Sequence, residues 1–349
     1  MRNILSLFLF FIIFGCQSGA EQKGEESIAI EVLPVTFLDS IAASNVIIED
    51  KQEGFFEMVG VTDMLIQMKR PYQGSLNRDS LLVDYRAFLK TEVLDFTEEE
   101  VLFCKNVFSE IIPQLEELHI DIFPKNLQLI KLKGNHYGSG AFYTREKTIL
   151  IPKEILKEKQ YGSFYETMLH EIFHIYSRYH PERRKALYEL IGFKKLEESN
   201  VLSMDASLKN KLLLNPDGID GNYFIELKED GKSLFAVPIL VANSLGFEKN
   251  KSEFFDYLQF NLYPIQSPFE SSIKVFSQDD GTSRINLDEV EGFYEQIQRN
   301  TNYIIHPDEI LADNFIFLVQ AKKDPRTLGQ FSEEGIKLIE EMEKIINVN

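Results

Sequence analysis

Tryptophan is absent from the 349-residue chain, and cysteine occurs only at Cys16 and Cys104. The aromatic surface of a core must therefore come from the 28 Phe and 14 Tyr. Cys16 sits at an N-terminal junction described below, so Cys104 has no partner. No intramolecular disulfide can staple the folded part, and its stability must come from burial. Positive charge is also scarce: 37 Lys and Arg stand against 55 Asp and Glu, a net charge of −18. A surface of that sign repels phosphate backbones and anionic headgroups, which argues against nucleic acid as a partner and against electrostatic adhesion to a membrane. Beyond residue 14 no stretch is long and apolar enough to span a bilayer.

What is present begins at the N-terminus. Arg2, the apolar run Ile4 to Phe14 and the ending Ile13-Phe14-Gly15-Cys16 read as a bacterial lipoprotein signal peptide over residues 1–15, with Cys16 as the lipidated residue. Phe14 is larger than usual at its position, and a plain cleaved signal peptide is the competing reading. Residues 16–30, rich in Gly, Ser, Gln and Glu, are expected to form a flexible tether. The expected location is the bacterial cell envelope, held to the membrane through the N-terminal lipid. Cys104 falls among Val101, Leu102 and Phe108 on a predicted helix and is expected to be a buried, inert thiol.

The chemistry lies in His170-Glu171-Ile172-Phe173-His174. Residues four apart share one face of a helix at about 6 Å, so both imidazoles can reach one tetrahedral ion. Glu171 is turned roughly 100° around the axis, out of the ligand set but beside an open coordination position. There it can take a proton from a metal-bound water and deliver it to a leaving amine. Ser163 and Glu166 read as a capping box at the start of this helix, and Pro181 ends it.

A third ligand has two candidates. His180 completes the spacing of the metzincin peptidases, but Ser177 stands where those place a Gly that turns the chain back. A helix running on to Tyr179 carries His180 along and around the axis, away from the ion. Met204 as a metzincin Met-turn has no support around it. The alternative is Glu309: Pro307 suits a first helical position, Asp308 and Glu309 fill a first turn, and Glu309 and Asp313 share a face.

Glu309-x-x-Ala312-Asp313-Asn314 resembles the second motif of the neprilysin-like peptidases, and the two helical segments together resemble the gluzincin arrangement. The resemblance implies His170, His174 and Glu309 as ligands of one zinc ion and Glu171 as the base. It makes Asp313 the carboxylate partner of a ligand His, most readily His170. It also implies a zinc-dependent metallopeptidase acting on a peptide or protein substrate. The 135 positions between His174 and Glu309 exceed the familiar spacing, so a subdomain must be inserted. In the resembled superfamily an edge strand upstream of the metal helix pairs with substrate. Gly138 to Thr144 and Thr148 to Pro152 are the extended segments at that place. Tyr303 and His306 are candidate donors to a developing oxyanion, with His306 equally a helix cap; Tyr223 and Tyr263 are weaker candidates. A noncatalytic metal-binding surface lipoprotein is the remaining alternative, and Glu171 beside the open position counts against it.

The expected fold class is α+β, zincin-like by the resemblance. Residues 31–192 form an N-terminal helical region, a small mixed sheet with an edge strand, and the metal helix. Residues 193–300 form an insert with a hairpin at Asp230-Gly231, and residues 301–349 a helical part carrying the third ligand. Thr97 and Glu100 predict a capping box before a helix interrupted near Pro113. Further helices are predicted from about Glu182 to Gly192 and from Glu333 to Ile346.

Overall fold

Helices and strands are interleaved throughout residues 33–74, 76–119, 121–218 and 221–347, the part of the chain that the computed structural model describes. The expected leader, Cys16 and the tether lie outside the described residues. Strand β1 (Val35–Phe37) precedes four helices, α1 (Ser40–Val46), α2 (Phe55–Met58), α3 (Val61–Gln67) and α4 (Arg78–Thr91). Then come β2 (Val93–Leu94), α5 (Glu98–Leu118), β3 (Leu127–Leu132), β4 (Tyr143–Arg145) and β5 (Thr148–Pro152). Helix α6 (Lys153–Glu158) leads into α7 (Tyr161–Tyr179), which carries His170, Glu171 and His174, and α8 (Pro181–Leu190) follows.

The strands up to β5 make one mixed sheet in the order β1-β3-β5-β4, with β2 also on β3. β1, β3 and β5 are parallel, and β4 runs antiparallel at the edge. Parallel strands of this kind are covered on both faces, which accounts for the unbroken apolar run Ile149-Leu150-Ile151. Leu127, Leu129, Ile149 and Ile151 face the core shared with α5 and α7, whereas Ile130, Leu132 and Leu150 face the core shared with α1 to α4.

The region after Gly192 is built from β6 (Phe193–Lys195), β7 (Val201–Ser203), α9 (Ala206–Lys209) and β8 (Leu212–Leu213), then β9 (Tyr223–Glu229), β10 (Lys232–Ala242), β11 (Leu258–Pro264), β12 (Ser272–Lys274) and α10 (Phe293–Ile297). A second sheet has the order β11-β10-β9-β6 with β8 on β10, and β7 pairs with β12. Asp230 and Gly231 both have positive φ, 49° and 73°, as the tight β9–β10 hairpin requires. One face of this sheet, through Tyr223, Ile225, Leu227, Ala236 and Leu262, joins the core around α7, so from Leu33 onward the chain is one unit. Helices α11 (Pro307–Lys323) and α12 (Glu333–Ile346) close the fold. The architecture is mixed α and β with several small sheets. No helix among the described residues is long and apolar enough to cross a membrane.

Two local expectations are corrected. α5 runs unbroken through Pro113. The Thr97–Glu100 capping box secures its start, and buried Ile111, Ile112, Leu115 and Leu118 hold the turns around the proline against the loss of one backbone bond. α7 begins at Tyr161, two residues before the expected cap, with no side-chain cap. Ser163 lies inside the first turn with its hydroxyl donating to Gln160 O, and Glu166 accepts from Gln320 instead. Pro181 does end α7, and it opens α8 as the first residue there.

Arg178, buried one turn beyond His174, ties these parts together. Its Nε donates to Glu53 Oε2 at 2.7 Å, Nη1 to Glu146 O at 3.1 Å and Nη2 to Thr144 Oγ1 at 2.9 Å. Arg178→Met is expected to lower stability by about 3 kcal/mol, the low end for breaking a buried ion pair, because Glu53 keeps Arg184 at 3.0 Å. Urea denaturation checks this; an unchanged midpoint would refute it.

Candidate metal centre

The second motif is positioned by its own capping. His306 Nδ1 accepts from Asp308 N at 3.1 Å, Pro307 takes the first helical position, and Asp308 and Glu309 lie where the helix dipole favours anions. α11 packs against α7, and the two faces carrying ionisable groups meet.

Three candidate ligand atoms converge there. His170 Nε2 lies 2.9 Å and His174 Nε2 3.4 Å from the same oxygen, Glu309 Oε2. Each imidazole is held from its other side by a separate carboxylate: His170 Nδ1 is 3.1 Å from Asp313 Oδ1, and His174 Nδ1 is 2.7 Å from Asp308 Oδ2. With each Nδ1 donating to its own carboxylate, the neutral imidazoles would present both Nε2 lone pairs to an ion held at Glu309. The supporting carboxylates are themselves anchored. Asp308 Oδ1 accepts from Ser177 Oγ at 2.6 Å and Tyr188 OH at 2.9 Å, and Asp313 Oδ2 accepts from Thr301 Oγ1. Asn215 Nδ2 donates to Glu309 Oε1 at 2.6 Å, leaving Oε2 for an ion.

Two buried polar atoms lack a hydrogen-bond partner at this point, His174 Nε2 and Glu171 Oε2. Such atoms are costly unless a ligand satisfies them. Two imidazole nitrogens and one carboxylate oxygen, with a further carboxylate alongside, match the donor set of a catalytic zinc site. The residues present therefore fit an ion held by His170, His174 and Glu309, all buried or nearly so.

The electrostatics follow from crowding charges in a buried place. Burial disfavours the His170 imidazolium, but its bonds to Asp313 and Glu309 outweigh this and raise its pKa to about 9. His174 is raised in the same way, against burial, by Glu309, Asp217 and Asp308. Burial pushes the Glu171 carboxyl up to about 8, reinforced by the neighbouring Asp217. Glu309 is held well below the usual carboxylate range because the two imidazoles overcome its desolvation.

The other expected residues divide. The Tyr303 ring lies 6.0 Å from the His170 ring between centroids and lines the same cleft. His306 caps α11 and lines a neighbouring cavity instead. His180 ends α7, bonds Tyr176 O at 2.8 Å through Nδ1 and stacks on the Tyr176 ring, apart from the ligand cluster. Tyr223 packs on Tyr188, and Tyr263 donates to Gly281 O, both away from the cleft. Met204 lines the same neighbouring cavity as His306. Cys104 is buried, with its thiol pushed up to about 12 by burial and then by Glu100.

Asp308, Asn215 and Asp217 were missed. Asp308 read only as an acid in a first turn, and nothing in Asn215-Pro216-Asp217-Gly218 distinguishes it from a turn. Asp308→Asn is expected to weaken the binding of a metal ion at this cluster about 10–100-fold, since the amide cannot fix the His174 tautomer as the carboxylate does. Competition with a chromophoric chelator measures this, and wild-type affinity would refute it.

The cleft beside the ligands holds about 440 Å³, with Phe142, Ile155, Phe164 and Ile316 as apolar walls. No protein-family model, no curated protein and no solved structure matches this chain.

Proposed function

We propose that the protein is a zinc-dependent metallopeptidase of gluzincin type with a zincin-like fold, carried on the bacterial cell envelope by a lipid at Cys16. The observation that carries this reading is the convergence of both Nε2 atoms on Glu309 Oε2, with each Nδ1 held by its own carboxylate and the buried, partnerless Glu171 Oε2 alongside. A structural zinc site has no use for that additional buried carboxylate.

Zinc bound by His170, His174 and Glu309 would polarise a scissile carbonyl and lower the pKa of a water. Glu171 takes the water's proton as attack begins and passes it to the leaving amine. Asp308 and Asp313 keep the two imidazoles in register, and Asn215 keeps Glu309 from turning both oxygens toward the ion. Tyr303, which lines this cleft, would donate to the developing oxyanion. Gly140, Ala141 and Phe142, which lead into the edge strand, line the cleft where an extended peptide would lie. Manganese or cobalt could use the same donors, and zinc is the default for two His and one Glu.

Mass spectrometry of metal content on the form lacking residues 1–16 tests the reading. One equivalent of zinc, removed by chelator and restored on reloading, is expected together with cleavage of a broad peptide library. Folded protein that takes up no zinc would overturn it.

A further inference from the structure

Asp217 lies beside the metal ligands without belonging to them. One of its carboxylate oxygens falls within 4.8 Å of a carboxylate oxygen of Glu171 and a ring nitrogen of His174. His174 has no nitrogen for a second ion, because Nδ1 is held by Asp308 and Nε2 faces Glu309. A second ion would have two carboxylates alone, too few donors to hold it, so a different ligand suits Asp217 better.

Its place along the edge strand narrows the choice. Asp217 Oδ1 accepts from the Thr144 backbone N–H at 2.5 Å and from the Thr144 hydroxyl at 2.6 Å. Since β4 pairs only with β5 among the described residues, that N–H lies on the free edge of β4, and Asp217 takes it out of use. A peptide lying along Gly140 to Phe142 can follow the strand no farther than Thr144 before meeting this side chain. The obstruction is built in. Leu214 N donates to buried Asp63 Oδ2 at 2.9 Å, Asn215 is bonded to Glu309, and Arg178 Nη2 donates to Asp217 O at 3.3 Å.

The wall is also acidic. Among the described residues no Lys or Arg lines the cleft, and Arg178 behind Asp217 is paired with Glu53 at 2.7 Å. Glu171, whose buried Oε2 has no partner, lines the same cleft. A substrate end stopping here as a carboxylate meets like charge, whereas an ammonium meets opposite charge. Resting on the metallopeptidase reading above, we propose that the protein is an aminopeptidase in which Asp217 holds the free α-ammonium of the substrate. Hydrolysis then falls on the first peptide bond. The water's hydroxyl joins the carbonyl carbon, the C–N bond breaks, and Glu171 hands the proton to the leaving nitrogen. The products are one free amino acid and a peptide shorter by one residue.

The test uses the zinc-loaded full chain and matched peptides with a free or an N-acetylated N-terminus. Product sequence and kcat/KM are recorded, and calorimetry measures binding of the same pair to the Glu171→Gln protein. The first residue is expected to be released first. The free amine should be favoured about 10–100-fold in both readouts, and in Asp217→Asn the preference should fall to about twofold or less with zinc content retained. Internal cleavage first, equal cutting of both peptides, or an undiminished preference in Asp217→Asn would each overturn the proposal. Should Asp217→Asn not fold, the wild-type comparison decides by itself. Zinc-loaded wild type that cuts neither peptide defeats the metallopeptidase reading, a result distinct from equal cutting of both.

Discussion

Glu171→Gln is expected to keep one equivalent of zinc and to lose about 10²–10⁴-fold in kcat, with KM little changed. Glutamine has nearly the same shape, so packing at a position only 4% exposed survives the exchange. The atoms proposed to hold the ion belong to His170, His174 and Glu309, so metal content should not move. What the amide lacks is a lone pair basic enough to take a proton from water. A loss confined to kcat would therefore separate proton transfer from substrate binding. Steady-state kinetics with parallel metal analysis checks this. Wild-type turnover in a zinc-loaded Glu171→Gln protein would remove the base from the mechanism, and loss of zinc would mean that Glu171 is itself a ligand.

Glu309→Ala is expected to abolish stoichiometric zinc binding. Removing an outer carboxylate costs about 10–100-fold in metal affinity, and removing a ligand atom costs more. The consequence extends to stability. A ligand that binds only the folded state stabilises it by about 2.7 kcal/mol at a free concentration of 100 Kd, so wild-type Tm should rise on adding zinc. That rise should vanish in Glu309→Ala and persist in His180→Ala, because His180 is turned to Tyr176 O. Calorimetric melts with and without zinc, alongside metal analysis, decide it. Full zinc content in Glu309→Ala, with loss in His180→Ala, would reverse the assignment and favour metzincin-like ligation.

Much of the centre was legible because it rests on short-range rules. The i, i+4 spacing of His170 and His174 puts both rings on one helical face whatever the rest of the fold does, and Glu309 and Asp313 follow the same rule. Pro307 and the acids after it announced a helix start, and Asp230-Gly231 announced a hairpin. Local signals were weakest where tertiary packing outweighs them. Pro113 was expected to interrupt a helix that buried side chains hold intact, and Ser163 with Glu166 imitated a cap two residues inside the real start. His306 illustrates a third case: its cap role and a role in the cleft were equally readable, and only the direction of its ring separates them.

The sequence by itself determined composition, charge sign, the absence of a disulfide in the folded part, and the spacing that makes two helices able to carry ligands. These depend on residue type or on the 3.6-residue helical period, both local properties. Tertiary structure decided which groups meet. The packing of α11 on α7 turns Glu309 rather than His180 to the two imidazoles and gives each ring its own carboxylate. The second sheet and the segment from Leu212 to Gly218 bring Asn215 to Glu309 and Asp217 to Glu171 across more than forty residues from either motif. No periodicity in the chain encodes those encounters, because they arise from where separate elements bury their apolar faces against one another.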